Sequence, residues 1–245
     1  MLREDKAEIR GGYAHSEITR RALLLAAIRV IAEQGVAGAS LRSINVAAGS
    51  RNASAAHYHF GTKLGVIEAA LELLYAEVAR QQDELMNALE ARVAQGRPVG
   101  VREILEAAYL PYLGLINQKD FGQAAAKFVS RLLVESDADL QAMLNRQVAP
   151  IMRRCLALLQ AALPQVPEPV LRIRLFITVT NVLHGAGDMP ALFNSPLGNL
   201  APENPLELLH TLFEYLEAAV SAPVQVMVPT DETRMAATLL GQGKP

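Results

Sequence analysis

Long alternations of β-branched residues bounded by turn signals are missing from this chain. The nearest candidate, Val224 to Val228, is one short stretch after Pro223. A sheet therefore has no strands to draw on, and Ala- and Leu-rich segments with apolar residues three and four apart point to an all-α protein. With 245 residues, 51% of them hydrophobic and a net charge of −2, the chain can bury a substantial core and does not read as disordered. One cysteine, Cys155, excludes an internal disulfide framework and a cysteine-based zinc site, and it suits a reducing cytosol. No uncharged apolar run reaches the roughly 18 residues of a membrane span. The first residues mix charges without an apolar core, unlike a secretory signal. The expectation is a cytoplasmic protein that does not engage a membrane.

Charge is unevenly spread. Residues 1–63 hold nine Lys or Arg against five Asp or Glu, a net +4, and the other 182 hold 14 against 20, a net −6. A basic small end on an acidic larger body suggests that only the first part meets a polyanion.

Helix signals divide the chain. Ser16 caps a first helix running to Gln34, with Leu24, Ala27, Ile28 and Ile31 on one face and Gly35 as its stop. Ser40 caps a short second helix lined by Leu41, Ile44 and Ala48 and ended by Gly49. Asn52 caps a short third helix, Ala53 to about His59, and Thr62 caps a long one from Lys63 to Ala94. Further helices follow over 101–117, 121–135, 138–163, 170–186 and 206–222, with Pro111 and Pro150 expected to bend two of them. Residues 188–204, with three prolines, read as a loop, and 223–245 as a loosely held tail.

The informative segment is residues 40–63, SLRSINVAAGSRNASAAHYHFGTK. Two helices of about two turns joined by a glycine-containing turn make a helix-turn-helix, and they need a third helix for a core. Leu24, Ile28, Ile31, Leu41, Ile44, Ala48 and Phe60 are the candidates for that core. Asn52, Ser54, Ala55 and His57, with Arg42 and Ser43 from the preceding helix, form a polar face with short side chains that suits a major groove.

Over about Glu17 to Leu71 these residues resemble the TetR family of transcriptional regulators. The resemblance rests on ALLLAAIRVIAEQG, SLRSINVAAG and above all HYHFGTK. It implies a three-helix DNA-binding domain over 15–62, after an arm of residues 1–14. A long helix then leads into a larger helical effector-binding and dimerisation domain over 63–222. It also implies that residues 53–57, with Tyr58 beside them, lie on the recognition helix, that His57 and Lys63 touch phosphates, and that Phe60 plugs the small core. His57 stands where tyrosine is commonest, Leu64 where glutamate is, and Asn45 where alanine is. The turn between Gly49 and Phe60 is one residue longer than usual.

Elementary chemistry points the same way at Lys63, in the first turn of a helix where unpaired N–H groups and the dipole favour an anion. Arg42 and Arg51 are further candidates for phosphates, or one of them for a guanine edge. His57 and His59, two apart on a helix, point to different sides and do not chelate together. His184 and Asp188 are spaced to share a face but lack a third ligand, so no metal and no cofactor is expected. Arg3, Lys6 and Arg10 interleave with acids and read as a solvated tail. Tyr109, Tyr112, Phe121, Phe128 and Phe176 are the candidates to line an effector cavity. The small residues Gly185, Ala186, Ala218 and Ala219 suggest that 170–187 and 206–222 pair with a second copy in a four-helix bundle. No catalytic constellation stands out, so an enzyme is not expected. The expected function is a ligand-responsive regulator, a repressor released from a palindromic operator by a small molecule. The alternative is a helical carrier or enzyme for an apolar small molecule whose helix-turn-helix is only structural.

Overall fold

A computed structural model describes residues 4–120 and 122–224, with side chains described from Ser16 onward. Nine α-helices follow in order among these residues: α1 (Glu4–Gly38), α2 (Leu41–Ala47), α3 (Ala55–Phe60), α4 (Lys63–Ala94), α5 (Val101–Gly114), α6 (Gly122–Leu133), α7 (Ala138–Ala162), α8 (Glu168–Gly187) and α9 (Pro205–Ser221). The described residues form no sheet, only an isolated bridge between Ser195 and Gly198. No helix among them is long and apolar enough to cross a membrane.

The helix-turn-helix bundle is built on α1. Leu24, Ala27, Ile28 and Ile31 are buried on its inner face and meet Ile44 of α2 and Ala55 and Ala56 of α3. Gly35, at φ 73° and ψ 173°, kinks α1 near its end; that left-handed geometry is open to glycine at little cost. Ser40 caps α2 in a reciprocal box with Ser43, each hydroxyl meeting the other's backbone N–H.

A sharp corner joins α3 to α4. Thr62 caps α4 by accepting from the Gly65 N–H at 3.0 Å. A Cβ on Gly65 would lie 2.3 Å from the Phe60 carbonyl oxygen, so only glycine lets the two helices approach this closely. Phe60 is half-buried against the core, with the Arg20 guanidinium 5.5 Å from its ring centre.

The larger body packs α4 against α5 and α7, α6 against α8, and α9 against α5 and α8. Pro111 and Pro150 lie inside α5 and α7. One turn before Pro111, the Ala108 carbonyl accepts from the buried Gln82 amide at 2.6 Å. Two links hold the bundle to this body. α1 packs along α6, with an Arg21–Asp120 ion pair of 2.7 Å beside the contact, and α4 runs continuously from one to the other.

Several boundaries differ from the sequence reading. Helical backbone begins at Glu4, ahead of the start expected at Ser16; Arg3 lies outside the described residues. Residues 188–204 include a 3-10 stretch, Met189–Asn194. The tail beyond Val224 lies outside the described residues.

Candidate nucleic-acid interface

The helix-turn-helix starts from an uninterrupted absence of negative charge. No acidic residue stands between Glu33 and Glu68, and the stretch contains Arg42, Arg51, Lys63, His57 and His59. Arg42, Arg51, Asn52, Ala53, Ser54, His57 and Tyr58 are all exposed on α2, the turn and α3, and Tyr58 keeps 82% of its surface open. Among the described residues neither Arg42 nor Arg51 enters an ion pair. A groove of about 740 Å³ between α1 and this face is lined by Ile18, Thr19, Arg51, Asn52, Tyr58 and His59.

Local hydrogen bonds orient the face. The Asn52 side chain accepts from the Ser54 N–H at 2.9 Å, forming a turn, so α3 starts at Ala55 and not at Ala53. That corrects the expected role of Asn52 as the cap of α3; Ser54 occupies the cap position but makes no side-chain capping bond. His57 Nδ1 lies 2.6 Å from the Gly61 carbonyl oxygen. A carbonyl only accepts, so Nδ1 carries the proton and Nε2 is the ring's remaining polar atom. His59 is half-buried, its ring edge-on to Tyr58 with centres 5.2 Å apart.

Three expected DNA contacts are placed differently. Ala55 is only 4% exposed and belongs to the core beneath α3. The Ser43 hydroxyl is engaged in the α2 capping box. The Lys63 ammonium donates to the Val36 carbonyl at 2.7 Å and the Ala39 carbonyl at 3.2 Å. Those are carbonyls at the kinked end of α1, where such groups lack helical partners, so Lys63 is turned inward and is not a free phosphate anchor. Asn45, which carried no role in the sequence reading beyond its unusual identity, is 3% exposed and bonds across to α3. A carboxamide in the middle of an apolar helix face was the available signal.

The four described aromatic candidates for an effector site, Tyr109, Tyr112, Phe128 and Phe176, differ widely in their surroundings. Phe128 is fully buried in the core of α6. The Tyr109 hydroxyl lies 2.9 Å from that of Thr178 on α8, and burial raises its pKa. Tyr112 is buried with no partner for its hydroxyl among the described residues, as is Tyr75 on α4, and burial drives both pKa values up. Phe176 is 66% exposed on the outer face of α8, which removes it from any interior site. Phe121 lies outside the described residues. A separate cleft of about 330 Å³ runs between α4 and α7, lined by Tyr75, Gln82, Asp83, Arg146, Pro150 and Arg154. The His184 Nδ1 lies 3.2 Å from the Ser130 hydroxyl.

Residues 106–219 match the family model of the tetracyclin repressor-like C-terminal domain. No curated protein matches the chain. Among solved structures, a transcriptional regulator from Rhodococcus sp. Rha1 is similar at TM-score 0.57 and 20% identity, covering 86% of this chain and 99% of its own. A TetR family regulator from Marinobacter aquaeolei VT8 has TM-score 0.57 and 15% identity, with coverages of 84% and 97%. SmeT, the repressor of the Stenotrophomonas maltophilia efflux pump SmeDEF, has TM-score 0.53 and 21% identity, with coverages of 86% and 97%. Residues 106–219 thus carry the tetracyclin repressor-like C-terminal domain, and the chain as a whole is similar in fold to TetR-family transcriptional regulators.

Proposed function

We propose that the protein is a cytoplasmic, ligand-responsive repressor that binds a palindromic DNA operator as a homodimer. The observation that carries this reading is the acid-free, exposed face of Arg42, Arg51, Asn52, Ser54, His57 and Tyr58 on a helix-turn-helix. Residues 15–62 form the DNA-binding unit, with α3 in the major groove and Ala53, Ser54 and His57 nearest the bases. Arg42 and Arg51, which enter no ion pair among the described residues, take phosphates or a guanine edge.

Residues 63–222 form the effector and dimerisation unit. Ile173, Phe176 and Ile177 make an exposed apolar stripe on α8, and Leu206 and Tyr215 extend it on α9. A second copy covers that stripe, in line with the four-helix bundle expected for 170–187 and 206–222. The effector enters between α4, α5 and α7, where Tyr75 and Tyr112 hold buried hydroxyls with no partner among the described residues. An effector that binds the two recognition-helix spacings unequally shifts the population away from the DNA-competent one. The efflux-pump repressor among the structural relatives favours repression over activation.

The test is enrichment of duplexes from a random-sequence pool by the full chain. Expected is a palindrome with half-sites about one helical turn apart; recovery of no common sequence would contradict the reading.

A further inference from the structure

Asn45 sits in the middle of α2, 3% exposed, and holds the beginning of α3 from across the turn. Its Nδ2 donates to the Ala53 carbonyl at 2.6 Å, and its Oδ1 accepts from the Ala56 N–H at 2.9 Å. The Ala56 N–H belongs to the first turn of α3, where no intrahelical acceptor exists. Ser54, at the cap position, makes no side-chain capping bond, and its own N–H donates to the Asn52 side chain. Asn45 therefore caps α3 from a neighbouring helix, one carboxamide serving a donor and an acceptor three residues apart. Alanine at this position would leave a buried N–H unpaired.

The same contact fixes geometry. A helix of six residues has too few internal hydrogen bonds to hold its own direction. Its axis is set by what grips its ends: the Gly61 corner at one end and Asn45 at the other. We propose that Asn45 is the positioning residue that sets the angle at which α3 presents Ser54 and His57 to the bases, and thereby the sequence preference of the protein, while touching no base itself. The inference rests on the DNA-binding reading above.

The experiment measures affinity of the full chain for the duplex enriched by the wild type and for a scrambled duplex of equal length, across a salt series. Wild type, N45A, N45D and I44V are compared, with a thermal melt of each. N45A is expected to lose about tenfold in the enriched-to-scrambled ratio, the scale of an unpaired buried polar group. Its salt slope should stay at the wild-type value, because Arg42 and Arg51 are untouched. N45D keeps an acceptor for the Ala56 N–H but sets a carboxylate oxygen against the Ala53 carbonyl, so its ratio should also fall; it decides the matter if N45A does not fold. I44V removes a methyl from the adjacent fully buried side chain. It should lower the melting temperature and leave the ratio intact, which separates positioning from stability. A folded N45A or N45D with the wild-type ratio overturns the inference alone. A wild type that enriches no duplex overturns the DNA-binding reading and this inference with it.

Discussion

The ammonium of Lys63 donates to the carbonyl of Val36 at 2.7 Å, which fastens the first residue of α4 to the kinked end of α1. A second bond reaches Ala39 at 3.2 Å, just ahead of the α2 cap Ser40. The long helix that runs into the larger body thus grips the bundle at the junction of its first two helices.

K63Q should therefore lower stability by about 1.5–3 kcal/mol, the range for hydrogen bonds made by a charged group. Thermal melts check the loss. The salt slope of DNA binding should remain that of the wild type. A slope reduced by about one would return Lys63 to a phosphate.

Arg154 of α7 holds three side chains of α4. It pairs with both Glu90 oxygens at 2.7 and 2.9 Å, with Asp83 at 2.8 Å and with Asn87 at 2.7 Å. The Arg154 hydrogen bond holds the Glu90 pKa below the ordinary carboxylate value. A lowered folded pKa means that stability is present above the unfolded carboxylate range and is lost as pH falls through the folded value. R154M should cost about 1 kcal/mol at pH 7, after allowance for the partly exposed carboxylates. It should also flatten the acid limb of a stability-versus-pH curve below pH 4.5. Chemical denaturation across pH measures both.

Cys155 is fully buried, and burial pushes its thiol pKa from 9.0 up to about 12. A thiol-specific reagent at pH 8 should leave the native protein unlabelled and label it on unfolding. Because the folded pKa is the higher one, the thiol's contribution to stability is complete below pH 9 and fades from there to pH 12. C155A should show a shallower alkaline loss than the wild type.

Much of the architecture was legible because its signals are local. Ser40, Gly49 and Thr62 mark helix ends by their own backbone chemistry, and α4 and α7 fall where caps and periodicity put them. The helix-turn-helix was legible as a segment for the same reason. Less legible was everything decided by partners far along the chain. Lys63 looks like an anion anchor until the α1 carbonyls fold beneath it. Asn52 looks like a cap until its side chain takes the Ser54 N–H. Phe176 is apolar and aromatic, yet α8 is apolar on two faces, and periodicity does not say which is outermost. Asn45 needed the fold, since its two bonds span eight and eleven residues.

The exposed stripe on α8 predicts a clear change in assembly. F176E places a charge at the middle of the proposed interface, and sedimentation should show a shift from dimer to monomer. An unchanged dimer would move the interface elsewhere. The palindromic-duplex affinity should fall with dimer loss, since one short helix reads few base pairs.

The most direct measurement is equilibrium binding to the enriched palindromic duplex and to its scrambled counterpart, at one stated salt concentration, with the number of chains per duplex determined. The account predicts a preference of about a thousandfold or more for the palindrome, with two chains bound. Equal affinity for the two duplexes would contradict it.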